Sequence, residues 1–481
     1  MRLRLPVVAR TPALPPLLLG ALLCGCALAP EYERPDLPVP ERFEDAGPAT
    51  TLDATALPGW RRFFPEPRLQ ALIAAALEHN RDLRVAVSRV AEARAQFRLQ
   101  QAAELPEIDV SASAIRGELA DRTAPLIGDT RIEQYSAALA VPAYELDFWG
   151  RIASLKRAAL ERYLATAEAQ RAFALSLTAQ VADAYLQGRE LDERIELAQR
   201  TLASREESFR IAERRLALGD TSELQLRQAQ SLLTSARAEL AALQQARDRN
   251  RHALRQLVGT WPADLPDAKS LESQGIVGDL PPGLPAELLV RRPDLRAAEA
   301  RLRAANADIG AARAAFLPQI TLTGTYGTGS DELDGLFDAG TDSWLFVPRL
   351  SLPLFDHGRR RANLDLAAAR RNTAVAEYEA AIQQAFREVR DALSSRYWIE
   401  ARIAALRDTV AAQEARLRIA ELSYENGAVA YLEVLDAQRQ LFAVRQTLIE
   451  ARRAALSNAV ALYLALGGGP YGPPGNAENA S

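Results

Sequence analysis

A chain of 481 residues with a formal net charge of −4 and 25% charged residues is long enough for two to four ordinary domains. Its only lysines are Lys156 and Lys269, and acids interleave with its arginines throughout, which excludes a basic face for nucleic acid. His79, His252 and His357 stand in no metal-ligand spacing, and the two cysteines lie at positions 24 and 26, so no cofactor, metal or enzyme chemistry is expected.

The N-terminus reads as an address. Arg2, Arg4 and Arg10 precede an apolar run over 14–23 that is too short to cross a bilayer as a helix. Residues 1–25 therefore read as a signal peptide. Leu23, Cys24, Gly25 and Cys26 resemble a bacterial lipobox, with Cys26 as the residue that takes diacylglycerol and palmitate; the other reading makes both cysteines ordinary apolar positions of a plain signal peptide. Ala27 rather than Asp at the next position implies, by resemblance to known lipoproteins, sorting to the outer membrane. After cleavage no second cysteine remains for a disulfide, so packing must hold the fold. Residues 26–65 read as a Pro-rich strap leading from the lipid to the body.

Helical periodicity begins near Glu66, with Leu69, Leu72, Ile73, Ala76 and Leu77 on one stripe. A second helix is expected over 81–104, ended by Pro106. The period then changes to two. Ile108, Val110, Ala112 and Ala114 alternate with Asp109, Ser111 and Ser113, and Tyr135, Ala137, Leu139 and Val141 resume the alternation after a loop holding Pro125 and Gly128. This predicts a β-hairpin at about 107–143, with one apolar face and strands of membrane-spanning length. A soluble hairpin with one buried face fits the alternation equally well.

Residues 143–261 contain no proline, and a helical hairpin is expected over 150–258, its first arm about 69 residues or roughly 100 Å long. Leu197, Leu202, Phe209, Ile211, Leu216 and Leu218 read as its coiled-coil seam. Gly219, followed by Asp220, Thr221 and Ser222, turns the chain back. The pattern then recurs. A shift of 208 lays Gly150 on Gly358, Gly219 on Gly427 and Gly259 on Gly467, and a shift of 212 lays Asp82 on Asp294 and Pro106 on Pro318. A repeat of 66–259 thus continues through a linker at 260–285 into a second repeat at 286–467. The second copy holds a β-hairpin at about 319–353 and a helical hairpin over 358–466, before a flexible tail at 468–481. A period this long marks a duplication and not a short-repeat solenoid. The second tip is Gly427, Ala428, Val429 and Ala430.

Four strands cannot close a barrel, and an open sheet edge cannot face lipid, so several chains must contribute. The rival reading is a lipid-anchored periplasmic coiled-coil scaffold or adaptor without a pore, which shares the arms and the lipid but lacks lipid-facing strands.

The lipobox, the run Pro30-Glu31-Tyr32-Glu33-Arg34-Pro35, Gly59-Trp60-Arg61-Arg62-Phe63-Phe64, Arg291-Arg292-Pro293-Asp294-Leu295, Leu317-Pro318-Gln319-Ile320 and Leu432-Glu433-Val434-Leu435-Asp436-Ala437-Gln438 together resemble the TolC-like outer membrane efflux proteins. The resemblance is to their lipoprotein branch, typified by OprM and NodT. It implies a mainly α fold with a small membrane β part. In that fold a homotrimeric channel-tunnel gives four strands per protomer to a twelve-stranded β-barrel, which a long α-helical barrel continues into the periplasm. It further implies a periplasmic membrane-fusion adaptor, an inner-membrane pump of the RND type, contact with outer membrane lipid, and a passive exit duct with a part in multidrug resistance.

By the same resemblance, Glu433 and Asp436 match a carboxylate ring at the periplasmic gate, and Leu432 an apolar constriction. Threefold repetition of the carboxylates would raise their pKa by mutual repulsion. The plainer reading pairs Asp436 with Arg439, its only local partner on that side of the helix. Tyr424 matches a tyrosine that latches the closed state, although Val429 and Gln225 stand where the latch has charged partners. The two tips, 219–222 and 427–430, would contact the adaptor.

Overall fold

The computed structural model describes residues 28–40, 43, 57–118, 131–278, 280 and 285–469. The expected signal peptide, Cys26, the loop holding Pro125 and Gly128, much of the strap and the tail beyond 469 lie outside the described residues.

In chain order the elements are α1 (Trp60–Phe63), α2 (Pro67–His79), α3 (Arg81–Ala102), β1 (Asp109–Glu118), β2 (Arg131–Leu146), α4 (Arg151–Ala217), α5 (Glu223–Val258), α6 (Pro285–Arg291), α7 (Pro293–Ala314), β3 (Gln319–Ser330), β4 (Asp342–Ser351), α8 (Arg359–Glu425) and α9 (Tyr431–Ala465). Among the described residues no helix is long and apolar enough to cross a membrane. The chain divides into two compact units. The first comprises 1–34, 91–164 and 299–376, and the second 35–90, 165–298 and 377–481.

The first unit is built on one antiparallel sheet in the order β1-β2-β3-β4. Its register lines Val110, Leu139, Tyr326 and Trp344 across one face, followed by Gly324 opposite Phe346 and Ile320 opposite Leu350. On the other face lie Ser111, Ser113, Ser136, Thr321, Thr323 and Thr325, with Ser113 and Ser136 hydrogen-bonded at 2.7 Å. Trp344, Phe346 and Leu350 are exposed. At Gly327 the sheet leaves no room for a side chain, for a Cβ there would lie 2.2 Å from the Ala137 carbonyl oxygen.

The first hairpin is longer than the alternation suggested. Pro142 cannot donate to the ladder, yet the strand does not stop there. Instead β2 shifts register between Val141 and Tyr144 and continues to Leu146, while the Pro142 carbonyl accepts a hydrogen bond of 2.9 Å from the Thr323 hydroxyl. Below the sheet Trp149 Nε1 donates to the Pro318 carbonyl at 2.8 Å. Gly150 and Gly358, both at positive φ, then start the two long helices.

The N-terminal strap is seated on α7 within this unit. Arg313 donates to the Leu28 carbonyl at 3.0 Å and Asn306 to the Pro30 carbonyl at 2.7 Å. Tyr32 and Arg34 both donate to Glu299. Glu299 is 6% exposed, and although burial opposes its charge, hydrogen bonds from Arg34 and the Arg303 charge hold its carboxyl below the usual range.

The second unit shows the duplication as paired contacts. Asn250 Nδ2 donates to the Ala184 carbonyl at 2.9 Å, and Asn458 Nδ2, 208 positions on, to the Ala392 carbonyl at 2.8 Å. A Cβ at Gly259 would lie 2.4 Å from the His79 carbonyl oxygen, and one at Gly467 3.0 Å from that of Arg291. Even where the residue type has changed, the contact persists. Asn80 donates to Leu257 O at 2.8 Å, while Arg292 donates to Ala465 O at 3.0 Å and also pairs with Asp294 and Glu388.

The one helical turn of α1 falls near the end of the expected strap, where Phe63 has a place in the core. It stacks on Tyr463 at 4.1 Å, and the Tyr463 hydroxyl donates to Pro58 O at 3.0 Å. Within the first helical hairpin Leu191, Ile195 and Ala198 of α4 and Leu243 of α5 form a core cluster beside a polar one. There Arg194 reaches Glu190 at 3.0 Å, Glu450 at 2.8 Å and Gln446 at 2.5 Å. Of the expected seam only Leu197 is buried, whereas Ile211 and Leu218 are exposed at 47% and 83%, so the chain itself does not cover the end of α4.

Candidate functional site

The site expected from the sequence lies at the tips of the helical hairpins, all within the second unit. Both tips close the same way. Gly219 and Gly427 adopt φ of 76° and 71°, a left-handed conformation that favours glycine. In each, the next amide reaches back to a carbonyl five residues earlier: Asp220 to Arg215 and Ala428 to Ser423, both at 2.8 Å. The restarts differ. The Ser222 side chain caps α5 by accepting from the Gln225 amide, and Thr221 bonds the Gln225 side chain; Ala430, in the corresponding place before α9, has no side chain to do so. Val429 is half-buried and the other tip glycines and alanines are exposed.

On α9 the residues sort by face. Val434, Leu435, Ala437 and Leu441 are buried, and Leu432, Glu433 and Arg439 are exposed, with Asp436 half-buried. Leu432, Glu433 and Asp436 thus share the open side of the helix. Asp436 accepts from Arg439 at 2.6 Å, the pair expected from their spacing. It also accepts at 2.9 Å from Arg416 on α8, which lies 3.7 Å from Glu433 as well. The local partner is therefore one of two. Arg416 was not found from the sequence because periodicity relates positions on one helix, and this contact joins residues of two helices, twenty positions apart.

Within one protomer, hydrogen bonds from Arg439, then Arg416, hold the Asp436 carboxyl below its ordinary pKa. The guanidiniums at bonding distance govern the carboxylate.

Tyr424 has neither of the partners named by the resemblance. Its hydroxyl accepts a hydrogen bond from Arg215 on α4, whose guanidinium lies 5.9 Å from the ring centre and whose Nε bonds Asp220 at 2.9 Å. Its ring also packs on Tyr431 at 4.9 Å. One tyrosine thus ties the two hairpins together through a cation, in a place where Val429 and Gln225 offer no charge. Among the described residues no group of His, Cys, Asp and Glu is arranged to hold a metal ion.

The family model for outer membrane efflux protein matches residues 72–260 and 284–468. The solvent efflux pump outer membrane protein SrpC of Pseudomonas putida is 44% identical over 456 residues, covering 93% of this chain and 96% of the relative. A membrane protein from Pseudomonas aeruginosa superimposes with a TM-score of 0.85 at 41% identity, over 92% of this chain and 98% of the other. The Neisseria gonorrhoeae MtrE outer membrane channel, solved in its open state, gives 0.84 at 38% identity, over 92% and 98%.

Proposed function

This chain belongs to the outer membrane efflux protein family, and on that premise we propose that three copies close a twelve-stranded barrel in the outer membrane. The protein is the outer membrane channel component of an efflux system. The carrying observation is the four-stranded sheet. It has one apolar face, one hydroxyl-rich face, and strands β1 and β4 that each pair on one side only. Unpaired backbone groups at such edges are intolerable in hydrocarbon, so β4 of one copy pairs with β1 of the next until the ring closes. The exposed positions near the end of α4 are then covered by neighbouring helices, which continue the barrel as a tube.

The tube ends at the hairpin tips, where Leu432, Glu433 and Asp436 form the gate and Arg215 with Tyr424 holds the two hairpins together. The tips 219–222 and 427–430 are the contact for a periplasmic adaptor, through which an inner-membrane pump of the RND type delivers substrate. The channel is a passive duct and catalyses nothing. Cys26 is the lipid anchor. Support comes from the strap: the Leu28 carbonyl accepts from Arg313, six residues before β3, so the described start of the strap is held near the foot of the sheet. The test is reconstitution. The purified mature protein should be a trimer that conducts ions in planar bilayers, and Cys26→Ser should abolish labelling by palmitate. A monomeric, non-conducting protein would return the pore-free scaffold.

A further inference from the structure

A cavity of about 720 Å³ opens between α4, α8 and α9. Leu197, Leu441 and Phe442 give it an apolar wall, and Thr201 and Ser204 stand on its rim. Three of its arginines are already paired: Arg445 with Glu414 at 2.6 Å, Arg452 with Glu272 at 2.7 Å and Arg200 with Glu196 at 3.6 Å.

Arg205 is different. It is 4% exposed, its Nη1 is buried without a partner, and it forms no ion pair among the described residues. Burial lowers its pKa, and the charge of the Tyr431 phenol acts against that shift. A buried guanidinium without a counter-charge is costly, so its retention calls for a ligand that supplies one. The architecture of the arm does not require it. The corresponding position of the second copy, 208 residues on, is the uncharged Gln413.

We propose that this cavity binds an amphiphilic organic anion, its carboxylate or sulfonate held by Arg205 and its apolar body resting on Leu197, Leu441 and Phe442. The volume lies within the range of pockets for small organic ligands, and a planar guanidinium is the side chain best suited to an oxyanion. The proposal does not depend on the duct reading.

The test is calorimetric titration of the full-length protein in lipid nanodiscs with hexanoate, hexanol and acetate. Hexanoate should bind measurably tighter than either control. Arg205→Gln should weaken it about ten-fold or more, the loss expected for a hydrogen bond to a charged group. Ser204→Phe, which narrows the rim and keeps the charge, should weaken hexanoate too. Without ligand, Arg205→Gln should melt no lower than the parent, because it removes an unpaired buried charge. Equal binding of hexanol, unchanged affinity in Arg205→Gln, or a lower melting temperature of that variant (which would reveal a protein partner for Arg205) would each overturn the proposal.

Discussion

Replacing Arg416 by alanine isolates the contact that the sequence did not disclose. Arg416 lies 2.9 Å from Asp436 and 3.7 Å from Glu433, with side-chain exposures of 42%, 31% and 58%. Pairs this open to water are worth about 0.2–1 kcal/mol each, so their combined loss amounts to about 1 kcal/mol. If the contacts hold the closed gate and not the open one, Arg416→Ala should raise the open-to-closed ratio about five-fold. Single-channel recording in planar bilayers at low salt reads this directly. At about 1 M salt, where screening reaches within about 3 Å, the parent should approach the variant. The pH dependence has a definite sign. The Asp436 carboxyl lies below its ordinary pKa, so its contribution is complete above the ordinary carboxylate range and is lost as pH falls through the depressed value. Arg416→Ala lets that value rise, and the acid-induced opening should move to higher pH. A trimeric variant with the parent's open fraction, salt response and acid midpoint would show that the cluster is a surface ion pair with no part in gating.

Tyr424→Phe removes the hydroxyl that accepts from Arg215, and should raise conductance in the same direction as Arg215→Ala; a double variant no different from either single one would place both residues in one contact. Gly259→Ala brings a Cβ to 2.4 Å from a backbone oxygen at φ 78°, and should lower thermal stability by several degrees, with Gly467→Ala milder at 3.0 Å. Phe346→Arg on the apolar sheet face should impair assembly by about 2–4 kcal/mol, read as loss of trimer in detergent, whereas Thr325→Arg on the other face should assemble and alter ion selectivity.

The sequence disclosed most where one local rule acted alone. Glycines 150, 219, 358 and 427 mark the ends of helices because positive φ is cheap only there, and the alternation of Ile320 through Tyr326 fixed which side of β3 is apolar. It disclosed less where two elements meet. Arg215 and Arg416 looked like two more arginines on charged helix faces, and only the juxtaposition of α4, α8 and α9 gives them their partners. The extension of β2 past Pro142 was not legible for a related reason: the register shift that lets the strand resume there depends on its pairing with β3. The buried state of Arg205 likewise has no local signature, since its neighbours in sequence, Ser204 and Glu206, are both exposed.

The difference between Ser222 and Ala430 has a mechanical consequence. Loss of such a cap weakens the first turn of a helix by about 1 kcal/mol, so within one protomer the hinge before α9 is softer than the hinge before α5. A ring of such protomers alternates stiff and compliant blades. Amide exchange at 428–433 should accordingly outpace that at 220–225.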